Sequence, residues 1–340
     1  MRPPPEAQAA ARHAFRLLRW YPKAWRSRYG EEFVELLIAD FAERPRSSAR
    51  TADVVRGGIV ARLAAVGLCG FTLKASAQVP ASLTALGCCA AIFVSFGAAL
   101  WSQLTIGWQW SAPDSAATTA AMVVMSVAML AFGVLAVAAA APVLWSAGSR
   151  IACGRRHGLL GPTALVVACA VIMFVGGRHF GNGWPGTGGH PWARQGLVPG
   201  GVAAFAWAST LSVSSYWAHP GALAGFPAAE LTWMALSPLA MAGLAGGAAA
   251  LIRRTELSAR VLAFEARLGA AACAVMAVFL GGCGAWIIDG EPGPGNLFRP
   301  GVIDAAGAVV MTIAFVAARQ AARTARLGTV RAVRAGDGRA

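Results

Sequence analysis

The chain has 340 residues, of which 57% are hydrophobic and only 13% charged, with a mean hydropathy of +0.57. Soluble domains carry about 25% charged residues, so this composition excludes an ordinary soluble globular protein. The net charge of +14 is compatible with nucleic-acid binding and with membrane proteins whose basic residues border their spans. We favour the membrane and expect no nucleic-acid partner, because charged residues are absent between Lys74 and Asp114, and again from there to Arg150.

The first 75 residues are polar, with thirteen Lys and Arg residues and seven Asp and Glu residues. Within them, RWYPKAWRSRYGEEF at 19–33 places large aromatic residues among basic ones. On a helix over 22–42, five of these side chains share one face: Trp25, Tyr29, Phe33, Leu36 and Leu37. The stripe continues across Gly30 and predicts one helix, with a break at that glycine as the alternative.

Two shorter amphipathic helices flank this one in the sequence. Their apolar residues are Phe15, Leu18 and Trp20 upstream, and Val55, Ile59, Leu63 and Val66 downstream from a start near Thr51. Three such helices can bury their stripes against one another, so we expect Trp25 to be buried near Leu18 and Ile59. Arg26 falls inside the apolar arc, where it is expected to snorkel or pair with an acid.

The mixed charges of the central helix argue against two other uses of its aromatic residues. Glu31, Glu32 and Glu35 occupy the opposite face, which opposes a base-stacking surface. A membrane-surface helix prefers Lys and Arg throughout its polar face. We therefore predict that residues 1–75 form a small three-helix cytoplasmic domain.

The stretch LLRWYPKAWRSRYGEEFVELL, followed by TADVVRGGIVARL, resembles a known N-terminal module. The module belongs to many actinobacterial multi-pass membrane proteins of unknown function, and its pattern is Tyr-Pro-x-x-Trp-Arg-x-Arg-Tyr-Gly-Glu-Glu. Similar helical prefixes precede bacterial permeases and the sensing proteins associated with PadR-like regulators. The resemblance covers about residues 14–66 and implies a helical module without catalytic residues.

Seven apolar segments follow, and six of them are predicted to cross the membrane. They lie at about 81–101, 116–145, 159–177, 197–217, 228–252, 268–288 and 301–318. With the N-terminus cytoplasmic and 197–217 outside, 26 of the 29 Lys and Arg residues are cytoplasmic. Seven spans would leave 17 inside and 12 outside. The orientation rule favours six, with seven as the alternative.

The segment 197–217 is the least apolar, and we interpret it as a re-entrant or surface helix on the outer side. We expect 178–227 to pack against the bundle and form a ligand-facing surface. The loop at 176–196 is rich in Gly and holds four candidate residues: His179, Trp184, His190 and Trp192. We favour an interfacial loop over a metal site, because neither carboxylates nor cysteines accompany these histidines.

Acidic residues inside the apolar segments are few. Glu230 begins the fifth segment and Asp304 lies one turn into the last. Intramembrane acids are functional candidates, but both lie near a predicted outer boundary, so we favour boundary residues over a proton relay. Gly243 and Gly247 form a small-x-x-x-small pattern that favours close helix packing. The seven cysteines contain no C-x-x-C pair, and no cofactor is expected.

The sequence thus predicts an all-α polytopic bundle in the plasma membrane, with both termini cytoplasmic. Its parts are a helical module at 1–75, a transmembrane domain at 76–318 and a basic tail at 319–340, which is expected to be partly disordered, beyond about Leu327. We expect a non-enzymatic signalling or docking protein whose partners are the bilayer and a cytoplasmic regulator or transporter subunit. A transporter or permease component is the alternative, which would need polar residues at mid-membrane or an internal repeat.

Overall fold

A computed structural model describes residues 5–43, 48–69, 75–110, 116–154, 158–181, 228–255, 257–289 and 302–337. All secondary structure in these ranges is helical. The helices are α1 Pro5–Leu18, α2 Lys23–Glu43, α3 Ser48–Ala65, α4 Ala75–Trp110, α5 Ala116–Ala152, α6 Leu160–Gly181, α7 Ala228–Arg254, α8 Ala259–Asp289 and α9 Val302–Asp337. The predicted all-α class is confirmed.

Helices α1, α2 and α3 share a small core. It consists of four buried residues, Ala14, Leu17, Val34 and Leu37, with Val54 and Val55 of α3 packed against them. Helix α2 is continuous through Gly30, as predicted. The glycine faces α1, since a Cβ atom there would lie 3.5 Å from Leu18 Cδ2. That distance is an ordinary van der Waals contact, so Gly30 marks the place where the two helices face each other.

The buried face of α2 differs from the predicted stripe. Val34 and Leu37 are buried, whereas Leu36 is 69% exposed and Tyr29 is 40% exposed. The helix meets α1 through Gly30, Val34 and Leu37, and the larger residues of the stripe lie beside this contact. Trp25 is half-buried and Ile59 is exposed. The expected burial of Trp25 beside Ile59 is therefore wrong.

Helix α3 ends in a Schellman motif that docks it onto α4. The Leu68 amide donates to the Leu63 carbonyl at 2.9 Å, and the Gly67 amide donates to the Ala64 carbonyl at 3.0 Å. Gly67 has a φ of 83°, a left-handed conformation that glycine adopts without strain. The buried Ser82 hydroxyl of α4 donates to the Gly67 carbonyl at 2.8 Å.

The six longer helices form a bundle of antiparallel pairs. Helix α4 pairs with α9, α5 with α8, and α6 with α7. The largest core cluster is built from sulfur-containing and aromatic side chains of α4, α5, α8 and α9, among them Phe93, Met125, Phe132, Met276, Phe279 and Met311. Glycines admit these side chains, since a Cβ atom at Gly97 would lie 3.2 Å from the Phe279 ring.

The predicted pairing of small residues in α7 is confirmed. A Cβ atom at Gly243 would lie 2.5 Å from Cys169 Sγ, and one at Gly247 would lie 2.6 Å from Val166 Cγ2. Both glycines therefore face α6. The Trp233 indole, nearer the start of α7, donates to the Ile172 carbonyl at 3.0 Å.

The helix ends fall into two groups at opposite ends of the bundle. One cluster joins the end of α5 to the start of α6 and the end of α7 through Val143, Leu159 and Leu251. A second cluster lies at the same end, because α5 and α8 are antiparallel. It joins the starts of α4 and α8 to the end of α9 through Val79, Leu83, Ala266 and Ala325. We call the end that holds both clusters the first end of the bundle. Because α6 and α7 are antiparallel, α6 ends and α7 begins at the opposite end.

Three of the described helices are long and apolar enough to cross a membrane. These stretches are Ala77–Gly97, Ala116–Ala152 and Ala259–Trp286, and Leu160–Met173 is a shorter apolar helix. Large apolar side chains such as Val134, Val137 and Ile288 are exposed on the outside of the bundle, as lipid-facing residues are. The chain is therefore a helical membrane protein.

The basic tail is helical as far as α9 extends, so its predicted disorder beyond about Leu327 is wrong up to Asp337. Small residues explain the difference. Ala318, Ala321, Ala325 and Gly328 are buried, and a Cβ atom at Gly328 would lie 2.6 Å from Val79 Cγ2 of α4. Arg319, Arg323, Arg326 and Arg331 lie on the exposed side, and in the sequence their charge hides this stripe. Helix α8 likewise begins at Ala259, in the basic stretch between the predicted apolar segments 228–252 and 268–288.

Candidate functional site

Four aromatic side chains at the start of α2 form a continuous cluster, which we call the aromatic ridge: Tyr21, Trp25, Tyr29 and Phe33. The Trp25 ring stacks on Tyr21 with centroids 4.2 Å apart and meets Phe33 edge-on at 5.2 Å. Tyr29 lies 5.5 Å from Trp25. Such aromatic pairs contribute about 0.5–1.5 kcal/mol each beyond the area they bury. The rings therefore stiffen one another without being fully enclosed.

Tyr21 anchors the ridge to α3. Its ring is buried, and a Cβ atom at Gly57 of α3 would lie 2.8 Å from the Tyr21 hydroxyl oxygen. Burial, and secondarily the charge of Asp53, raises the pKa of Tyr21 above its usual value. The side chain is thus a neutral phenol at physiological pH, as suits a position inside the domain.

Two arginines border the ridge in different ways. The Arg28 guanidinium lies over the Tyr29 ring, 5.2 Å from its centroid, in a cation–π contact. Arg26 is half-buried, and its Nε atom is buried without a hydrogen-bond partner among the described residues. The carboxylate pairing expected as one option for Arg26 is therefore not made through Nε.

Arg62 of α3 binds the turn between α1 and α2, directly before the ridge. Its Nε atom donates to the Trp20 carbonyl and its Nη2 atom donates to the Arg19 carbonyl, both at 2.6 Å. Helix ends leave carbonyls without helical partners, and basic side chains can bond them. Sequence analysis missed Arg62 and Tyr21 as site residues. Pro22 was the available signal, because it forces α1 to end just before it.

The remaining sequence candidates lie far from the ridge or outside the described residues. His179 lies in the last turn of α6, Glu230 in the first turn of α7 and Asp304 in the first turn of α9. These turns lie at the end of the bundle opposite α3. Trp184, His190 and Trp192 lie outside the described residues, as does the segment 197–217. Within the described ranges, no three His, Cys, Asp or Glu residues come together to hold a metal ion.

A cleft of about 250 Å³ opens at the first end of the bundle, between α5 and the α7–α8 connection. Its lining is polar: Ser146, Ser149, Arg150, Thr255, Leu257 and Ser258. The Ser146 and Ser149 hydroxyls donate to backbone carbonyls one helical turn back, at 2.6 and 2.8 Å. Since these donors are already used, the cleft offers less to a ligand than its composition indicates.

Comparison of the chain with protein-family models, with curated proteins and with solved structures finds no match. The candidate site therefore rests on the geometry of the ridge.

Proposed function

We propose that the protein crosses the plasma membrane six times, with both termini in the cytoplasm. The arrangement of helix ends supports this topology. Gly181 ends α6 and Ala228 begins α7 at the same end of the bundle, so the six long described helices alternate in direction. An even number of crossings returns the end of α9 to the side on which α4 begins.

The distribution of basic residues agrees with this orientation. The first end of the bundle carries Arg150 of α5, Arg253 and Arg254 of α7, and Arg319, Arg323 and Arg326 of α9. The Arg254 guanidinium donates to the Gly158 carbonyl at 2.8 Å. This bond joins the end of α7 to the connection between α5 and α6. Loops in contact with each other lie on one side of the membrane, and basic loops are cytoplasmic.

We further propose that the aromatic ridge docks a cytoplasmic regulator or a transporter subunit, in a non-enzymatic signalling or docking role. The observation that carries this proposal is the exposure of Tyr29 beside the half-buried Trp25, with Leu36 also exposed further along α2. Aromatic residues and Arg are enriched in the centres of protein interfaces. The ridge presents them on one helix face, which suits a partner that contributes an apolar helix.

The transport alternative has less support from the described residues. Transport would call for a polar cavity near the middle of the bundle. The 250 Å³ cleft and a second, more apolar cleft along α5 share Ser149 and lie at the first end.

Site-specific photo-crosslinking tests the docking role in the host membrane. A photoreactive amino acid in place of Leu36 should capture a defined cytoplasmic protein, and the same group in place of Glu31, on the opposite face, should not. Adding Tyr29→Ala should abolish the Leu36 adduct while leaving membrane insertion unchanged. Capture that is equal at both positions, or unaffected by Tyr29→Ala, would contradict the proposal.

Cysteine labelling tests the topology in a cysteine-free background. We expect Gly188→Cys to react with an impermeant reagent in intact cells and Ser258→Cys to react only after permeabilisation. Labelling of Ser258→Cys from outside would overturn the six-span topology.

A further inference from the structure

The second half of α3, from Gly58 onward, has two unlike sides, and its branched apolar side chains are on the outer one. The side that packs on the rest of the domain is lined by small residues, of which Gly58 and Ala64 are buried. A Cβ atom at Gly58 would lie 2.6 Å from Trp20 Cβ. The outer side carries four branched residues that are between 38% and 49% exposed: Ile59, Val60, Leu63 and Val66. We call them the α3 stripe.

A soluble helical domain has the reverse arrangement, because its branched apolar residues face the core. The exposed positions of the α3 stripe recur at helical spacing and form one continuous strip over the last two turns of the helix. Scattered surface residues do not form such a strip. The stripe therefore requires a partner outside the domain.

The contact between Gly67 and α4 fixes the depth of the stripe. A Cβ atom at Gly67 would lie 2.6 Å from the Ala81 carbonyl carbon, and Ser82 bonds the Gly67 carbonyl. Helix α4 begins at Ala75 and carries no charged residue along its length. At 1.5 Å per residue, Ser82 lies about 10 Å beyond that start. The end of α3 is thus level with the first turns of a charge-free helix.

We propose that the α3 stripe lies in the membrane interface and contacts lipid. Amphipathic interfacial helices bury their apolar face about 5–10 Å into the boundary between headgroups and acyl chains, which matches the depth set by Gly67. Arg56, exposed one turn before Val60, is placed to meet anionic headgroups. This role uses a different face from the aromatic ridge and requires only that α4 crosses the membrane.

Lipid quenching in reconstituted full-length protein tests the proposal. Leu63→Cys and Leu36→Cys are compared in the cysteine-free chain, each carrying a small fluorophore, in phosphatidylcholine–phosphatidylglycerol vesicles. Acyl-chain nitroxide lipids should quench the label at 63 roughly threefold more strongly than the label at 36, because only the former lies in the interface. Aqueous iodide should show the opposite preference. Equal lipid quenching at the two positions would overturn the proposal, and so would protection of position 63 from both quenchers, which would indicate a protein partner.

A second measurement leaves the native cysteines in place. A photoreactive amino acid at position 63 or 66 of the full-length chain should form phospholipid adducts, detected by mass spectrometry, in the same vesicles. The same group at position 36 should form few. Lipid adducts at similar yield at 36 and 63 would contradict an interfacial α3 even if the cysteine-free chain did not fold.

Discussion

The N-terminal helices and the membrane bundle use the same kinds of residue in opposite places. In the bundle, branched side chains such as Val134 and Val137 face outward, and the centre holds Phe, Met and small residues. In α1 and α2 the exposed surface is largely charged and the core is aliphatic. The surroundings decide which residues face outward. Lipid tails are as apolar as the side chains they contact, whereas water favours a charged surface.

Helix α3 is the transition between the two regions. Its sequence belongs to the polar N-terminal part, but the branched residues of its second half face outward as those of the bundle do. Its end is fixed to α4 by the Gly67–Ser82 contact. Substitutions that separate the two regions, or that loosen one of them alone, test this comparison.

The largest effect is expected at Gly67, where the two regions meet. Gly67→Ala places a methyl group against the Ala81 and Ser82 backbone, which cannot move aside as a flexible side chain could. A left-handed conformation costs a non-glycine residue about 1–3 kcal/mol even without such a clash. We expect α3 to detach from α4 and become protease-sensitive. Gly87→Ala in α4, where the added methyl meets open space, is the control and should be neutral or slightly stabilising.

Two adjacent glycines of α7 test whether close packing holds the bundle. Gly247→Val should destabilise it by about 1–3 kcal/mol, since overpacking forces neighbouring atoms apart and Val166 and the Pro162 carbonyl lie against this position. Gly246→Val makes the same substitution one residue earlier, where nothing lies within 4 Å. Melting of the purified protein in detergent compares them. Equal melting temperatures would show that α6 and α7 do not rely on this contact.

Trp25→Ala tests how the N-terminal region is held together. Truncating a fully buried Trp typically costs about 3–5 kcal/mol. Because Trp25 is only half-buried, we expect about 1–2 kcal/mol, most of it from contacts with the Tyr21 and Phe33 rings. Arg28→Ala removes an exposed cation and should cost less than about 0.5 kcal/mol. Hydrogen exchange of residues 23–43 in the full-length protein measures both. A similar loss of protection in the two variants would contradict a structural role for the rings.

Sequence analysis was most successful where the pattern involved residue type alone. Charge-free runs are sufficient to locate apolar helices, and the single helix across Gly30 followed from the periodicity of its neighbours. The buried side of α2 was missed, because the largest residues of the stripe are at the margin and Gly30 is at the contact. A periodicity argument counts apolar side chains, so it does not detect a glycine at a helix contact.

The same limit explains α9 and the candidate site. The Ala and Gly stripe of α9 carries little hydropathy beside its arginines, so the helix beyond Leu327 was not predicted. The positions of Arg62 and Tyr21 depend on long-range contacts with carbonyls and a glycine. Those contacts become visible only when the three helices are assembled.

The smallest predicted effect is a change in alkaline stability that depends on Tyr21. Burial, then Asp53, raises the pKa of this phenol in the folded protein above its usual value of 10.0. The folded state therefore favours the neutral form. Its contribution to stability is fully present below pH 10 and is lost as pH rises through the folded-state pKa. The domain should become less stable above pH 10, and Tyr21→Phe should reduce that dependence because Phe cannot ionise.

Comparison with Tyr29→Phe separates this effect from general alkaline unfolding. Tyr29 is the most exposed residue of the aromatic ridge, and Tyr29→Phe makes the same chemical change there. Burial also raises the pKa of Cys69, but that thiol is common to both variants and cancels between them. Hydrogen exchange of residues 23–43 between pH 9 and pH 11 should show a flatter pH dependence for Tyr21→Phe than for Tyr29→Phe, after correction for intrinsic exchange. Identical slopes would mean that Tyr21 reaches water in the folded protein, and the ridge would then be a surface feature along its whole length.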